Sequence, residues 1–132
     1  SRVAVHGFLW GADPAPLLRS GLDDEAPQQQ DDERGKFDVL LMGDLMANHK
    51  ALPDLAKSVA QLMRRGGVGI VAFGHHRPWL AERDLMLFQH LRELGVVCTE
   101  VASVATTPMF EQDPGPADVR GTTHVYKVHW PL

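Results

Sequence analysis

The chain predicts an α/β fold built on a mostly parallel sheet flanked by helices, and three observations carry that expectation. Val39-Leu40-Leu41-Met42 is an unbroken apolar run without polar alternation, the pattern of a strand covered on both faces. The run stops at Gly43-Asp44, and a stretch with helical spacing follows. Strand-like and helix-like segments then alternate through most of the remaining sequence, as they do when parallel strands are joined by crossover helices.

Taken in order, Val3 to Val5 reads as a short apolar strand, followed by a Gly-bracketed turn, Gly7-Phe8-Leu9-Trp10-Gly11. From Ala12 to Lys36 the composition shifts to Pro, Gln, Asp and Glu, which predicts a mobile acidic surface insertion. After the Phe37 to Met42 strand, Asn48 or His49 can start a helix that tolerates Pro53 in its first turn. Leu52, Leu55, Ala56, Val59, Leu62 and Met63 recur at helical spacing and give that helix an inner face. Its end is expected near Arg64-Arg65, where cations suit the helix carboxyl terminus, with Gly66-Gly67 supplying a left-handed exit. Val68 to Phe73 is the next buried strand. A second amphipathic helix follows Pro78, with Leu80, Leu87, Phe88, Leu91 and Leu94 facing inward and Gly95 closing it. Val96 to Val104 and Thr122 to Trp130 are two more strands; without a helix between them they can pair antiparallel at one edge of the sheet. This order fits the carboxyl half of a Rossmann-like methyltransferase sheet, and flavodoxin-like and dehydrogenase halves fit it too.

Bulk properties restrict the function classes. A chain of 132 residues with 44% hydrophobic content supports one core of ordinary domain size. The net charge of −4 and the scatter of its 13 Lys and Arg residues argue against a nucleic-acid binder. Cys98 is the single cysteine, so no disulfide framework exists and a reducing, cytoplasmic setting is expected, with the thiol acting as a small buried hydrophobe. No run of about 18 apolar residues is present, so neither a membrane span nor a membrane partner is expected. The sequence opens at Ser1 on strand-like residues, as a piece of a longer protein would.

Asp44 is the first site candidate. A carboxylate at the end of a buried parallel strand lies at the carboxyl edge of the sheet, where open α/β sheets bind ligands; capping of the next helix is the competing reading. Gly66-Gly67-Val68-Gly69 is not a phosphate cradle, because it precedes a strand where a cradle precedes a helix. His75-His76 sits past the next strand, again at the ligand edge, but no third ligand accompanies the pair and no metal site is expected. Ser58 and Ser103 lack a nucleophile elbow.

Four segments together resemble the seven-strand, S-adenosylmethionine-dependent methyltransferases of family 16. They are GFLWG at Gly7 to Gly11, FDVLLMGDLMANH at Phe37 to His49, RRGGVGIVAFGHHRP at Arg64 to Pro78, and PMFEQD at Pro108 to Asp113. Within the family the sequence is most similar to a fungal branch, once labelled nicotinamide N-methyltransferase-like, that methylates the amino terminus and lysine of elongation factor 1-alpha. The resemblance covers nearly the whole chain apart from the acidic insertion.

The resemblance implies a Rossmann-like class I methyltransferase sheet from its third strand onward, with Val3 to Val5 as that third strand. It implies S-adenosylmethionine as cofactor, a protein amine as methyl acceptor and a monomeric enzyme when full length. Trp10 would lie against the adenosine and Gly43 beside the cofactor. Asp44 opens the family's Asp-x-x-aromatic pattern beside the acceptor, where Ala47 stands in place of the aromatic. Asn48 and His49 join Asp44 as acceptor-side candidates, His49 as a base, and Met109 and Phe110 would form the substrate rim. The family's acidic-Gly-x-Gly loop and the acid after its second strand are missing, so the chain reads as part of an enzyme that is inactive alone. A catalytically silent methyltransferase-like interaction module and an N-methyltransferase of small pyridine-like amines are the other functional readings.

Overall fold

A computed structural model describes residues 3–20 and 33–132. Its elements are α1 (Ala15–Ser20), β1 (Phe37–Gly43), a 3-10 turn (His49–Ala51), α2 (Leu52–Leu62), β2 (Met63–Gly74), a second 3-10 turn (Pro78–Leu80), α3 (Ala81–Asp84), α4 (Met86–Glu93), β3 (Val97–Ala105), α5 (Ala117–Arg120) and β4 (Thr122–His129). The strands form one sheet in the order β1-β2-β4-β3. β1 and β2 are parallel; β4 runs antiparallel to both of its neighbours. The expected antiparallel partnership of the last two strands is present, but β4 lies inside the sheet and β3 at its edge. An inner position lets β4 satisfy its backbone groups on both sides, which an edge strand cannot.

The inner face of the sheet is set by alternation. Met42 on β1, Val71 and Phe73 on β2 and Val128 on β4 are buried, and α2 and α4 close over them with Leu52, Leu55, Ala56, Val59, Leu87, Phe88 and Leu91. Every residue assigned to the inner stripe of α2 is buried, Leu62 and Met63 included. Aromatic packing concentrates at the middle of this face, where Phe88 stacks on Tyr126 at 3.9 Å and Phe73 contacts Phe88, Tyr126, His75 and His124. Cys98 is half-buried beside them with its Sγ 3.8 Å from the Phe88 carbonyl, and burial pushes its thiol pKa up.

Several expectations need correction. Val3 to Val5 is not a strand: it is exposed and outside the sheet. An isolated three-residue segment has no ladder to join unless a neighbouring strand supplies one. β1 is buried on one face only, since α2 and α4 both pack on the Met42 side and leave Leu41 80% exposed. Among the described residues of the Ala12 to Lys36 segment α1 forms, with Asp13 Oδ1 accepting a hydrogen bond from the Ala15 N–H. Glu33 is docked, its carboxylate accepting the Arg65 N–H at 2.8 Å and pairing with Lys36, and these contacts hold it below the usual carboxylate range. Asp23, Asp24, Glu25, Asp31 and Asp32 lie outside the described residues.

The glycines after α2 do a different job from the one expected. The chain turns extended at once at Met63, with φ −85° and ψ 123°, and the next residues belong to β2. Phe37 faces Met63 and Val39 faces Val68, so β2 bulges out three extra residues within Arg64 to Gly67. Gly66 takes φ +84° there, and a Cβ on Gly67 would stand 2.8 Å from the Asp38 carbonyl oxygen. The second helix is also broken: a 3-10 turn, α3 and α4 succeed one another around Leu85, and Leu80 and Leu94 fall outside the buried stripe. Gly95 closes the helix in the left-handed region as expected.

The core makes a simple contrast. Phe73→Ala is expected to lower unfolding free energy by about 3–5 kcal/mol, and Leu94→Ala, on the exposed side, to change it by less than about 0.5 kcal/mol. Urea titration of both variants followed by circular dichroism measures the difference.

Candidate functional site

Strand direction gathers the site. Because β1 and β2 are parallel, with Gly43 opposite Ala72, the turns that follow them emerge side by side. β4 begins at the same end, Thr123 facing Gly74, and β3 finishes there, Ala105 facing Thr122. The four ends surround a cavity of about 330 Å³ lined by Gly43, Asp44, Gly74, His76, Met109 and Arg120, among others. The carboxyl edge of the parallel strands is thus a cavity, as the strand-end argument for Asp44 requires.

Asp44 adopts φ +57°, the left-handed region that Asp tolerates better than most residues. Its N–H donates to the Ala72 carbonyl at 2.8 Å and extends the β1–β2 ladder one residue past the strand. The carboxylate accepts from His76 Nε2, at 2.8 Å to Oδ1 and 3.0 Å to Oδ2. It makes no capping bond to the following 3-10 turn. The capping reading of Asp44 therefore gives way to a carboxylate–imidazole pair on the cavity wall.

Two further contacts hold the Asp44 turn to the His75-His76-Arg77 turn. Arg77 Nη2 donates to the Ala47 carbonyl at 2.8 Å. Beneath, the buried Asp84 carboxylate bridges two imidazoles, with Oδ1 2.6 Å from His49 Nε2 and Oδ2 2.7 Å from His75 Nδ1. Asp84 thereby ties the start of the 3-10 turn before α2 to the end of β2.

On the opposite wall, Arg120 is a buried guanidinium whose Nη1 donates to Phe110 O at 2.7 Å and whose Nε donates to Gly115 O at 3.2 Å. It fastens the loop between β3 and β4, which carries Met109. Among the described residues Arg120 has no carboxylate partner. It lines the same cavity as Asp44.

The structure sorts the expected site residues into two groups. Gly43, Asp44 and Met109 meet on the cavity wall. Phe110 lies next to Met109 and is exposed, contributing its carbonyl to Arg120 but no part of the lining. Asn48 is exposed and caps nothing through its side chain. His49 is turned to Asp84 and is absent from the lining, which corrects the expectation that it is the titratable group nearest Asp44. Trp10 packs half-buried against the core, and the adjoining Gly11 N–H donates to Ser58 Oγ at 2.7 Å. In the sequence His76 is placed at the ligand edge but weighed only as a metal ligand, and Arg120 is not singled out. His76 carried the same signal as Asp44, a polar residue just past a buried strand; Arg120 carried none. Among the described residues no group of three His, Cys, Asp or Glu side chains is arranged to hold a metal ion.

No family model matches the chain. Individual curated proteins do. It is 38% identical over 124 residues to the protein N-terminal and lysine N-methyltransferase EFM7 of Eremothecium gossypii, a span covering 94% of this chain and 43% of that protein. It is 33% identical over 135 residues to efm7 of Schizosaccharomyces pombe, covering 100% of this chain and 49% of the relative. The chain is similar in sequence to these methyltransferases over nearly its whole length. It spans about half the length of the curated relatives it matches. Among solved structures it is similar to the N-methyltransferase NodS from Bradyrhizobium japonicum in complex with S-adenosyl-L-homocysteine, with a TM-score of 0.48, 13% identity, and coverage of 80% of this chain and 50% of that one. The described strands form a mixed α/β sheet, one parallel pair and two antiparallel ones, with the last two strands in chain order paired antiparallel.

Asp84 gives the site its own test. Asp84→Ala leaves two part-buried or buried imidazoles without their shared acceptor, and unfolding free energy is expected to fall by about 2 kcal/mol or more. Chemical denaturation measures the loss, and an unchanged midpoint would contradict the bridging role.

Proposed function

We propose that this chain is the acceptor-side part of an S-adenosylmethionine-dependent methyltransferase domain that methylates a protein amine. The observation that carries the reading is the placement of Gly43, Asp44 and His76 around one cavity at the carboxyl edge of the sheet, in a chain homologous along nearly its whole length to protein N-methyltransferases. The resemblance supports elongation factor 1-alpha as the protein substrate, and the unpaired Cys98 supports a reducing, cytoplasmic setting.

The residues present fit the cofactor on one side. A Cβ built on Gly43 meets nothing within 4 Å, so the strand end is open where the resemblance puts the cofactor, and Gly43 and the Asp44 main chain would hold it there. S-adenosylmethionine, when bound, supplies a methyl group activated by its sulfonium.

The chain's residues then have two tasks. The first is alignment: holding the acceptor nitrogen in line with the methyl group supplies most of the rate in a displacement of this kind. Asp44, its carboxylate on the cavity wall beside His76, draws in and orients the incoming ammonium by its negative charge. Met109, 62% exposed on the rim, offers an apolar surface to the chain that carries the amine. The second task is removal of a proton. An acceptor amine attacks only when uncharged, and an α-amino group, with an ordinary pKa of about 7.7–8.0, gives up its proton more readily than a lysine at about 10.4.

The test is Asp44→Ala, with Asp44→Asn beside it, in the full-length enzyme. Methyl transfer to a peptide amine is expected to fall 100-fold or more while the affinity for S-adenosylmethionine, read by isothermal titration, stays within about threefold. Turnover at the parental rate in both variants would overturn the assignment.

A further inference from the structure

We propose that His76 is the catalytic base of this site, the group that takes the proton from the acceptor ammonium, and that Asp44 fixes its tautomer. The inference rests on the reading of the cavity as an N-methyl acceptor site.

The hydrogen bonds determine which nitrogen can work. An ionised carboxylate accepts and cannot donate, so the contacts of 2.8 and 3.0 Å between Asp44 and His76 Nε2 place the imidazole proton on Nε2. Nδ1 of the neutral ring is then the lone-pair nitrogen, and no side chain or backbone group among the described residues bonds to it. The imidazole is one-third exposed and lines the cavity, so that lone pair is within reach of a ligand. This is the arrangement of a base oriented by a third group.

The other titratable candidates are excluded by their partners. His49 and His75 are both committed to Asp84, neither lines the main cavity, and His75 is buried. Arg120 on the far wall stays protonated and cannot accept. Asp44 has both carboxylate oxygens on the His76 Nε2–H, and its negative charge, which draws the ammonium into the cavity, favours the charged form and makes it a poor acceptor for the proton.

The step balances within the cavity. One N–H bond of the acceptor ammonium breaks and its electron pair stays on nitrogen as the nucleophilic lone pair; the proton forms a new bond to His76 Nδ1. The resulting imidazolium keeps its Nε2–H on Asp44, whose negative charge stabilises it, and later loses the Nδ1 proton to water. General-base assistance of this kind is worth 100- to 10,000-fold.

The test uses the full-length enzyme with two variants, His76→Ala and His76→Gln; the glutamine keeps a donor for Asp44 but offers no proton-accepting nitrogen. Both are expected to lose at least 100-fold in kcat for a peptide amine, with thermal midpoint and S-adenosylmethionine affinity near parental values, and His76→Ala is expected to regain at least tenfold when imidazole is added. Independently of turnover, nitrogen-15 spectra of the parental enzyme are expected to show the neutral His76 ring protonated at Nε2, and the Asp44→Asn variant to lose that preference. Activity within twofold of parental in either variant, failure of imidazole to restore any rate, or a ring protonated at Nδ1 would each overturn the assignment of the base. If the parental enzyme itself transfers no methyl group to a protein amine, the functional reading fails instead, and the two failures are thus distinguishable.

Discussion

The parallel pairing of β1 with β2 is the constraint from which the site follows, because parallel strands deliver their carboxyl ends, and the turns beyond them, to the same edge of the sheet. Gly43 facing Ala72 puts Asp44 beside the end of β2, and the Asp44 N–H to Ala72 carbonyl bond carries that pairing one residue into the turn. An antiparallel β1 would have sent the Asp44 turn to the opposite end of the molecule from His76. The hydrophobic stripe of α2 makes the parallel arrangement possible: it carries the chain back along the sheet and, with α4, joins Met42, Val71 and Phe73 in one core.

Once the turns are adjacent, they are fastened by polar contacts of different depth. Asp84 is buried and holds His49 and His75, so it fixes backbone positions with few competing water molecules. The Asp44–His76 pair lies above it with both side chains partly open to solvent. The left-handed backbone at Asp44 costs on the order of 1 kcal/mol or more, and the ladder bond, the His76 contact and the Arg77 to Ala47 bond together hold it in place. The buried layer is thus structural, and the exposed layer presents a carboxylate and an imidazole to the cavity. Ala47 fits this division: its side chain is small, but its carbonyl is an anchor.

The alternation of apolar strand and amphipathic helix was legible because it is a local pattern read by a long buried face. The five inner positions of α2, Leu52, Leu55, Ala56, Val59 and Leu62, and the buried trio Leu87, Phe88 and Leu91 follow from spacing alone. Features set by pairing between distant segments were not legible. The bulge at Arg64 to Gly67 depends on how β2 registers against Phe37 to Val39, and two glycines after a helix look the same whether they end the helix or loop out of a strand. The inner position of β4 depends on which of two strands it meets, which no periodicity records. Val3 to Val5 shows the limit of short apolar runs, since three such residues form a strand only beside another. At the site, the strand-end rule found Gly43 and Asp44. Applied with equal weight to the end of β2 it would also have found His76, but adjacent histidines were weighed only as metal ligands. Arg120 is invisible in sequence because its role depends on carbonyl groups brought near by the fold of the β3–β4 loop.

The central claim is that the acceptor nitrogen is held at the hydrogen-bonded Asp44–His76 pair in the cavity at the carboxyl edge of the sheet. A crystal structure of the full-length enzyme with S-adenosyl-L-homocysteine and an acceptor peptide tests it most directly. The account predicts the peptide amine within about 3 Å of an Asp44 carboxylate oxygen or His76 Nδ1, with the peptide crossing Met109. An amine bound away from both side chains, or a peptide seated on another edge of the sheet, would contradict it.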